Sequence, residues 1–146
     1  YYFVGKFEKY KSFISNRYWK YDVEDNAFGL MKNSKGVIAS IHSTATQWQH
    51  KFSMEISLSQ ATLLLHGILS GSKSYGKETI TIISKKNKIK KKIFYSKDNS
   101  WKQEIDEFAE IILKNLKVKT GNSEQALDVM NMVYKIYKDD KSWKYN

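Results

Sequence analysis

The sequence predicts an α+β fold: an open, mainly antiparallel β-sheet with two C-terminal helices packed on one face. Three observations predict it. First, the centre of the chain alternates with period two. Val37, Ala39, Ile41, Ser43 and Ala45 point one way, and Ile38, Ser40, His42, Thr44 and Thr46 the other. Phe52, Met54, Ile56 and Leu58 then alternate with Lys51, Ser53, Glu55, Ser57 and Ser59. Period two is the signature of extended strands with unlike faces. Second, two late segments repeat their apolar residues every three to four positions, the mark of amphipathic helices. Third, the strand patterns precede the helix patterns, which is the order of an α+β domain rather than of βαβ units.

The elements follow in order. Tyr1 to Lys9 reads as a first strand, interrupted by Gly5. Tyr10 to Tyr21 is polar and aromatic without a period and reads as an irregular excursion. Val23 to Lys32 is a second strand, and Asn33-Ser34-Lys35-Gly36 is a turn. Val37 to Thr46 and Lys51 to Leu58 are predicted to pair as a hairpin joined near Gln47 to His50. Ala61 to His66 continues as a strand. Gly67 to Gly76, with three glycines and three serines, is a loop. Glu78 to Ser84 and Ile89 to Tyr95 pair across Lys85 to Lys88, and the lysines there read as a charged edge that resists sheet-to-sheet aggregation.

Ser100-Trp101-Lys102-Gln103 reads as a capping box with Ser100 at the N-cap. Trp101, Ile105, Phe108, Ile112 and Leu116 form the first helical stripe. Ser123 is the second predicted N-cap, and Ala126, Leu127, Met130, Val133, Tyr134 and Tyr137 form the second stripe. The polar tail from Asp139 to Asn146 is expected to fray.

Length and composition set the limits. At 146 residues the chain is one domain by length. It has no cysteine, so disulfides and thiolate metal sites are excluded. The expected location is cytoplasmic: no signal peptide is visible and no apolar run approaches a membrane span. The chain opens on Tyr1 rather than Met, which points to a piece of a longer protein. The net charge of +10 invites a nucleic-acid reading, but Arg17 is the only arginine. Base readout and bidentate phosphate contacts favour arginine, so no nucleic-acid partner is expected.

No catalytic or metal constellation stands out. His42, His50 and His66 have no ligand spacing, and no metal site is expected. Glu24 and Asp25 are adjacent, so on a strand they face opposite sides; they read as residues that orient a strand end. Gly67, Gly71 and Gly76 do not make a dinucleotide-binding loop. Two aromatics at predicted loop tips have open readings. Trp48, between Gln47 and Gln49, can stack on a sugar, plug a neighbouring subunit, or fold back on its own sheet. Tyr75 shares that ambiguity.

Several segments together resemble one family. They are Asp25-Asn26-Ala27-Phe28 with Asn33-Ser34-Lys35-Gly36-Val37, the Ile41 to Ile56 stretch, Ala61-Thr62-Leu63 to Gly67, and Glu104-x-x-x-Phe108. The nearest likeness is Thr120-Gly121-Asn122-Ser123-Glu124-Gln125-Ala126-Leu127-Asp128-Val129-Met130, followed by Tyr134-Lys135-Ile136-Tyr137. In order and spacing these resemble the C-terminal domain of the glucose–fructose oxidoreductase, inositol dehydrogenase and rhizopine catabolism (Gfo/Idh/MocA) group, with the sugar-nucleotide branch nearest. The resemblance implies a parent enzyme, an NAD(P)-dependent oxidoreductase acting on CH–OH groups, with NAD or NADP bound by an N-terminal Rossmann domain that is absent here. The family's Glu-Lys-Pro and Asp-x-x-x-His motifs have no match in this sequence. It therefore implies a C-terminal substrate and oligomerisation half, residues 1–146, that carries no catalytic or cofactor-binding residue and is inactive alone. Its expected partners are a sugar-type substrate and further copies of itself, as a dimer or tetramer through the sheet face. Gln47, Trp48 and Tyr75 are the expected substrate contacts. The alternative is a stand-alone α+β binding module that uses its open sheet face for a protein or polysaccharide.

Overall fold

The computed structural model describes residues 1–69, 75–84 and 90–144. Among the described residues seven strands precede two helices, an α+β arrangement with two open antiparallel sheets. Strands β1 (Lys9–Ser15), β2 (Asn26–Lys32) and β3 (Ile38–Thr44) form one sheet in the order β1-β2-β3. Strands β4 (Ser53–Ser57), β5 (Ala61–His66), β6 (Glu78–Ser84) and β7 (Lys90–Tyr95) form the other in sequence order. The helices are α1 (Ser100–Leu113) and α2 (Ser123–Asp139). Two units emerge, one of Tyr1–Thr46 with Lys117–Asn146 and one of Gln47–Leu116.

In the first unit α2 packs on β1. Phe7, Met31 and Ile136 form its buried centre, with Val4, Tyr10, Ala39 and Met132 packed around them. Gly29 lies beneath the helix, and a side chain there would crowd the neighbouring strand rather than the helix. A Cβ there would stand 3.0 Å from Ile41 Cγ2 and 3.7 Å from Ile136 Cδ1. The C-terminal end of α2 also closes the outer edge of β1. Ser12 N–H donates to Asp139 at 2.9 Å and Ile14 N–H to Asp140 at 2.7 Å, while the Ser12 hydroxyl donates to the Ile136 carbonyl at 2.6 Å. Free N–H groups on an edge strand invite pairing with another strand; here two carboxylates occupy them. A third tie is made by Asp128, which accepts from the Tyr1 hydroxyl and pairs with Lys6 at 2.8 Å.

The first strand differs from its sequence reading. Tyr1 to Gly5 is a turn, with Gly5 N–H bonded to the Tyr1 carbonyl at 2.8 Å, and the strand occupies Lys9–Ser15, overlapping the predicted strand only at Lys9 and otherwise falling in the stretch read as irregular. Its inward residues include Ser12, which is 1% exposed. A polar residue on the buried face hides the period, and its bond to Ile136 makes that burial tolerable. The tail differs as well: Asp140 is buried and holds both Ile14 and Ser142. The lysine turn at 85–88 and the last two residues of the tail lie outside the described residues.

The predicted hairpin between the third and fourth strands does not form, because β3 and β4 belong to different sheets. The chain is turned aside at the end of β3. Ala45 N–H donates to the Asp25 carbonyl at 2.8 Å, and the Thr44 hydroxyl donates to the same carbonyl at 3.0 Å while accepting Thr46 N–H at 3.1 Å. The segment Ala45 to Phe52 has no glycine or Asn-Gly pair to make a tight turn.

In the second unit Ala61–His66 and Glu78–Ser84 form strands at the predicted positions. Met54, Ile56, Leu63, Leu65, Ile80, Ile82 and Ile93 line one face of the sheet, all half-buried. Helix α1 forms, but none of its residues is buried. It ends in a Schellman arrangement: Asn115 at φ +51°, Leu116 N–H to the Ile111 carbonyl at 2.9 Å, and Asn115 N–H to Ile112 at 3.2 Å. Leu116 therefore lies past the helix that was expected to carry it.

Both predicted N-caps shift by one residue. Asn122 caps α2, its side chain accepting Gln125 N–H at 2.9 Å, and Gln125 reaches back to Gly121 N–H at 2.7 Å. Asn99 is the N-cap of α1, and its side chain makes no capping hydrogen bond. Ser100 instead gives its N–H and hydroxyl to Asp98, at 3.0 and 2.6 Å.

Candidate functional site

Two of the three residues singled out from sequence meet in one place. Gln47 and Tyr75 line an open cavity of about 450 Å³ in the second unit, together with Gln49, His50, Lys51, Phe52, His66, Gly67 and Lys77. The volume lies within the range of small-molecule sites. Trp48 is not part of the lining; it is 97% exposed.

The cavity is assembled by the pairing of β4, β5 and β6. The Ser53↔His66 and His66↔Thr79 pairs bring the end of β5 between the residues that precede β4 and β6. Gly67 follows β5 at φ +71°, and its N–H bonds the Phe52 carbonyl at 3.1 Å. A Cβ at that position would fall 2.3 Å from the Lys77 carbonyl oxygen, so only glycine lets the two segments approach this closely. The His50 and Tyr75 rings lie 5.0 Å apart at 38°. Nearby, the Glu78 carboxylate accepts Leu69 N–H at 3.0 Å.

The chemistry of the lining is cationic and hydrogen-bonding. Lys51 and Lys77 supply ammonium charges, His50 and His66 imidazoles, Gln47 and Gln49 amides, and Tyr75 a phenol. Among the described residues no carboxylate lines the cavity. Such a set suits a phosphate or carboxylate joined to a hydroxyl-rich body, the lysines acting as point charges on the anion. Sequence reasoning missed both lysines and both histidines, because only the strand register brings the segments of Gln47–Phe52 and Tyr75–Lys77 together, with His66 between them.

A second depression, of about 280 Å³, lies in the first unit and is lined by Trp19, Tyr21, Val23, Glu24, Asp25 and Ala45. Glu24 and Asp25 lie just before β2, not on a strand, and line the same depression instead of facing opposite sides; the Asp25 carboxylate holds the loop between β1 and β2. Asp25 is 4% exposed, and its Oδ2 accepts Tyr18 N–H at 2.7 Å and Trp19 N–H at 3.0 Å.

Among the described residues no group of three or more His, Asp or Glu side chains could hold a metal ion, and no helix is long and apolar enough to cross a membrane. No protein-family profile, curated protein or solved structure matches the chain.

Proposed function

We propose that this chain is the substrate-holding and assembly half of an NAD(P)-dependent oxidoreductase of the Gfo/Idh/MocA type, with a sugar nucleotide or related anionic sugar as substrate. The observation that carries the reading is the cavity in which Lys51, Lys77, His50 and His66 stand beside Gln47, Gln49 and Tyr75. The cations suit a phosphate; the amides and phenol suit sugar hydroxyls. The resemblance of Thr120 to Tyr137 to the family's closing helix supports the same assignment. Hydride transfer requires a nicotinamide held against the substrate carbon with an acid/base group in reach. In this reading a nucleotide-binding domain supplies those groups, the working location is the cytoplasm, and copies of the chain join through an open sheet face.

Calorimetric titration with UDP-glucose, glucose 1-phosphate and glucose tests the assignment. The expected order of affinity follows the negative charge, and Lys77→Glu is expected to weaken UDP-glucose binding at least about tenfold, the cost of turning attraction into repulsion at a partly exposed site. Equal affinity for glucose and glucose 1-phosphate, or unchanged binding by Lys77→Glu, contradicts it.

A stand-alone binding module is the second reading, and one observation favours it. Phe13, Phe28 and Leu30 stand exposed on the face of the first sheet opposite α2, with His42 stacked on Phe28 at 3.8 Å. A polysaccharide that binds this face, with no affinity for UDP-glucose, would decide for the module.

A further inference from the structure

The depression at Trp19 and Tyr21 is independent of the cavity just described. The loop that carries it is held unusually firmly for an exposed excursion. Asp25 accepts two of its backbone N–H groups. The Trp19 indole N–H donates to the Ala45 carbonyl at 3.1 Å, and the Asn16 side-chain amide donates to the Tyr21 carbonyl at 2.7 Å. Lys20, between the two rings in sequence, sits at φ +57°, a left-handed conformation that costs about 1 kcal/mol or more outside glycine. Strain of this kind persists where surrounding bonds over-determine the backbone, and it clusters at binding sites.

These bonds fix the rings. The Trp19 and Tyr21 rings are stacked, their planes 2° from parallel and their centroids 6.4 Å apart. Tyr18 meets Trp19 edge-on at 4.9 Å. Trp19 and Tyr21 remain about half exposed or more, at 48% and 64%. Val23 and Ala45 add apolar surface, and the charged residues of the lining are Glu24 and Asp25, both acidic. Arg17 and Lys20 flank the rings in sequence, yet neither lines the depression. In a chain of net charge +10, two carboxylates beside two aromatic faces make a local preference for a cation.

We propose that this depression binds an alkylammonium headgroup of the choline class. Aromatic faces attract a cation through their quadrupole when it lies within about 6 Å of the ring centroid. A quaternary ammonium is weakly hydrated, lays its methyl groups against the exposed aromatic surface of Trp19 and Tyr21, and carries its charge into a depression whose charged lining is acidic. A neutral sugar could stack on the same rings, but it would gain nothing from the two carboxylates. The pre-ordered loop lowers the entropy cost of capture.

The test is an NMR titration that follows the Trp19 indole N–H, with choline, tetramethylammonium, 3,3-dimethylbutan-1-ol (the neutral isostere of choline) and methyl β-glucoside as probes. Choline and tetramethylammonium are expected to shift the signal saturably, and the two neutral probes to bind at least about tenfold more weakly. Glu24→Gln, a change at a half-exposed rim position, is expected to weaken choline binding about threefold or more. Trp19→Phe, which keeps a ring but loses the bond to Ala45, is expected to weaken it further, and Trp19→Ala to abolish it, both followed on the Tyr21 and Ala45 backbone N–H signals because the indole signal is gone. Equal binding of choline and its neutral isostere overturns the proposal, as does preference for the glucoside, full affinity in Glu24→Gln, or no response to either ammonium probe at tens of millimolar.

Discussion

Gly67 stands where the backbone itself limits what can be placed. Its φ of +71° and the 2.3 Å approach that a Cβ would make to the Lys77 carbonyl act together, and the atom in the way is backbone, which cannot swing aside. Gly67→Ala is expected to cost about 1–3 kcal/mol in urea denaturation and to weaken the binding of UDP-glucose, because Lys77 must move. An unchanged denaturation midpoint would show that the segment is not held as described. Asp140 offers a pH test at the same scale. The Ser142 hydroxyl bonded to its carboxylate, with the Ile14 N–H adding to it, holds its pKa below the ordinary 3.8 despite burial. A folded pKa below the unfolded one means that protons favour the unfolded chain. The contribution is therefore complete above the ordinary carboxylate pKa and is lost as pH falls through the lower folded value. Thermal midpoints are expected to fall more steeply below about pH 4 in the wild type than in Asp140→Asn, with the two converging in strong acid. Parallel pH profiles would remove Asp140 from the account.

At the scale of elements the caps give the sharpest comparison. Asn122 bonds the Gln125 N–H, whereas Ser123, the residue that the sequence favoured, lies inside α2. Asn122→Ala is expected to lower stability by about 1 kcal/mol and Ser123→Ala by a few tenths at most; the reverse order in chemical denaturation would return the cap to Ser123. The same mixture of success and displacement runs through the fold. Strands β5 and β6 were legible because unbroken β-branched and leucine-rich runs sit between turn signals. Strand β1 was hidden because its buried face includes Ser12, whose partner, the Ile136 carbonyl, lies 124 positions away. The pairing of β3 was misread because alternation reports which face a residue takes, not which strand lies beside it. The bonds of Thr44 and Asp25 that turn the chain after β3 follow from tertiary structure and leave no local pattern. The cavity was half legible for a related reason: Gln47 and Tyr75 could be named from loop composition, but His66 and Lys77 join them only through strand register.

For the molecule as a whole, the apolar surface left uncovered is the dominant fact. Trp101, Ile105, Phe108 and Ile112 on α1 are each more than 60% exposed, and Phe13 and Leu30 on the first sheet each exceed 50%. Monomeric soluble proteins rarely expose contiguous apolar patches larger than a few hundred Å²; each of these two surfaces, taken by itself, is a candidate for the self-association proposed above. Isologous pairing through a sheet face is the simplest closed assembly. The proposed substrate-holding, assembling half is expected to show two solution properties: self-association, and no measurable affinity for NADH by nucleotide fluorescence. Phe28→Glu, which places a charge at the centre of the open face of the first sheet, is expected to shift the assembly toward single chains without unfolding it. The most direct measurement is light scattering on the purified chain across a wide concentration range. The account predicts a species of twice the 17.1 kDa chain mass or a higher multiple, reduced in Phe28→Glu; a single 17.1 kDa species at the highest concentration contradicts it.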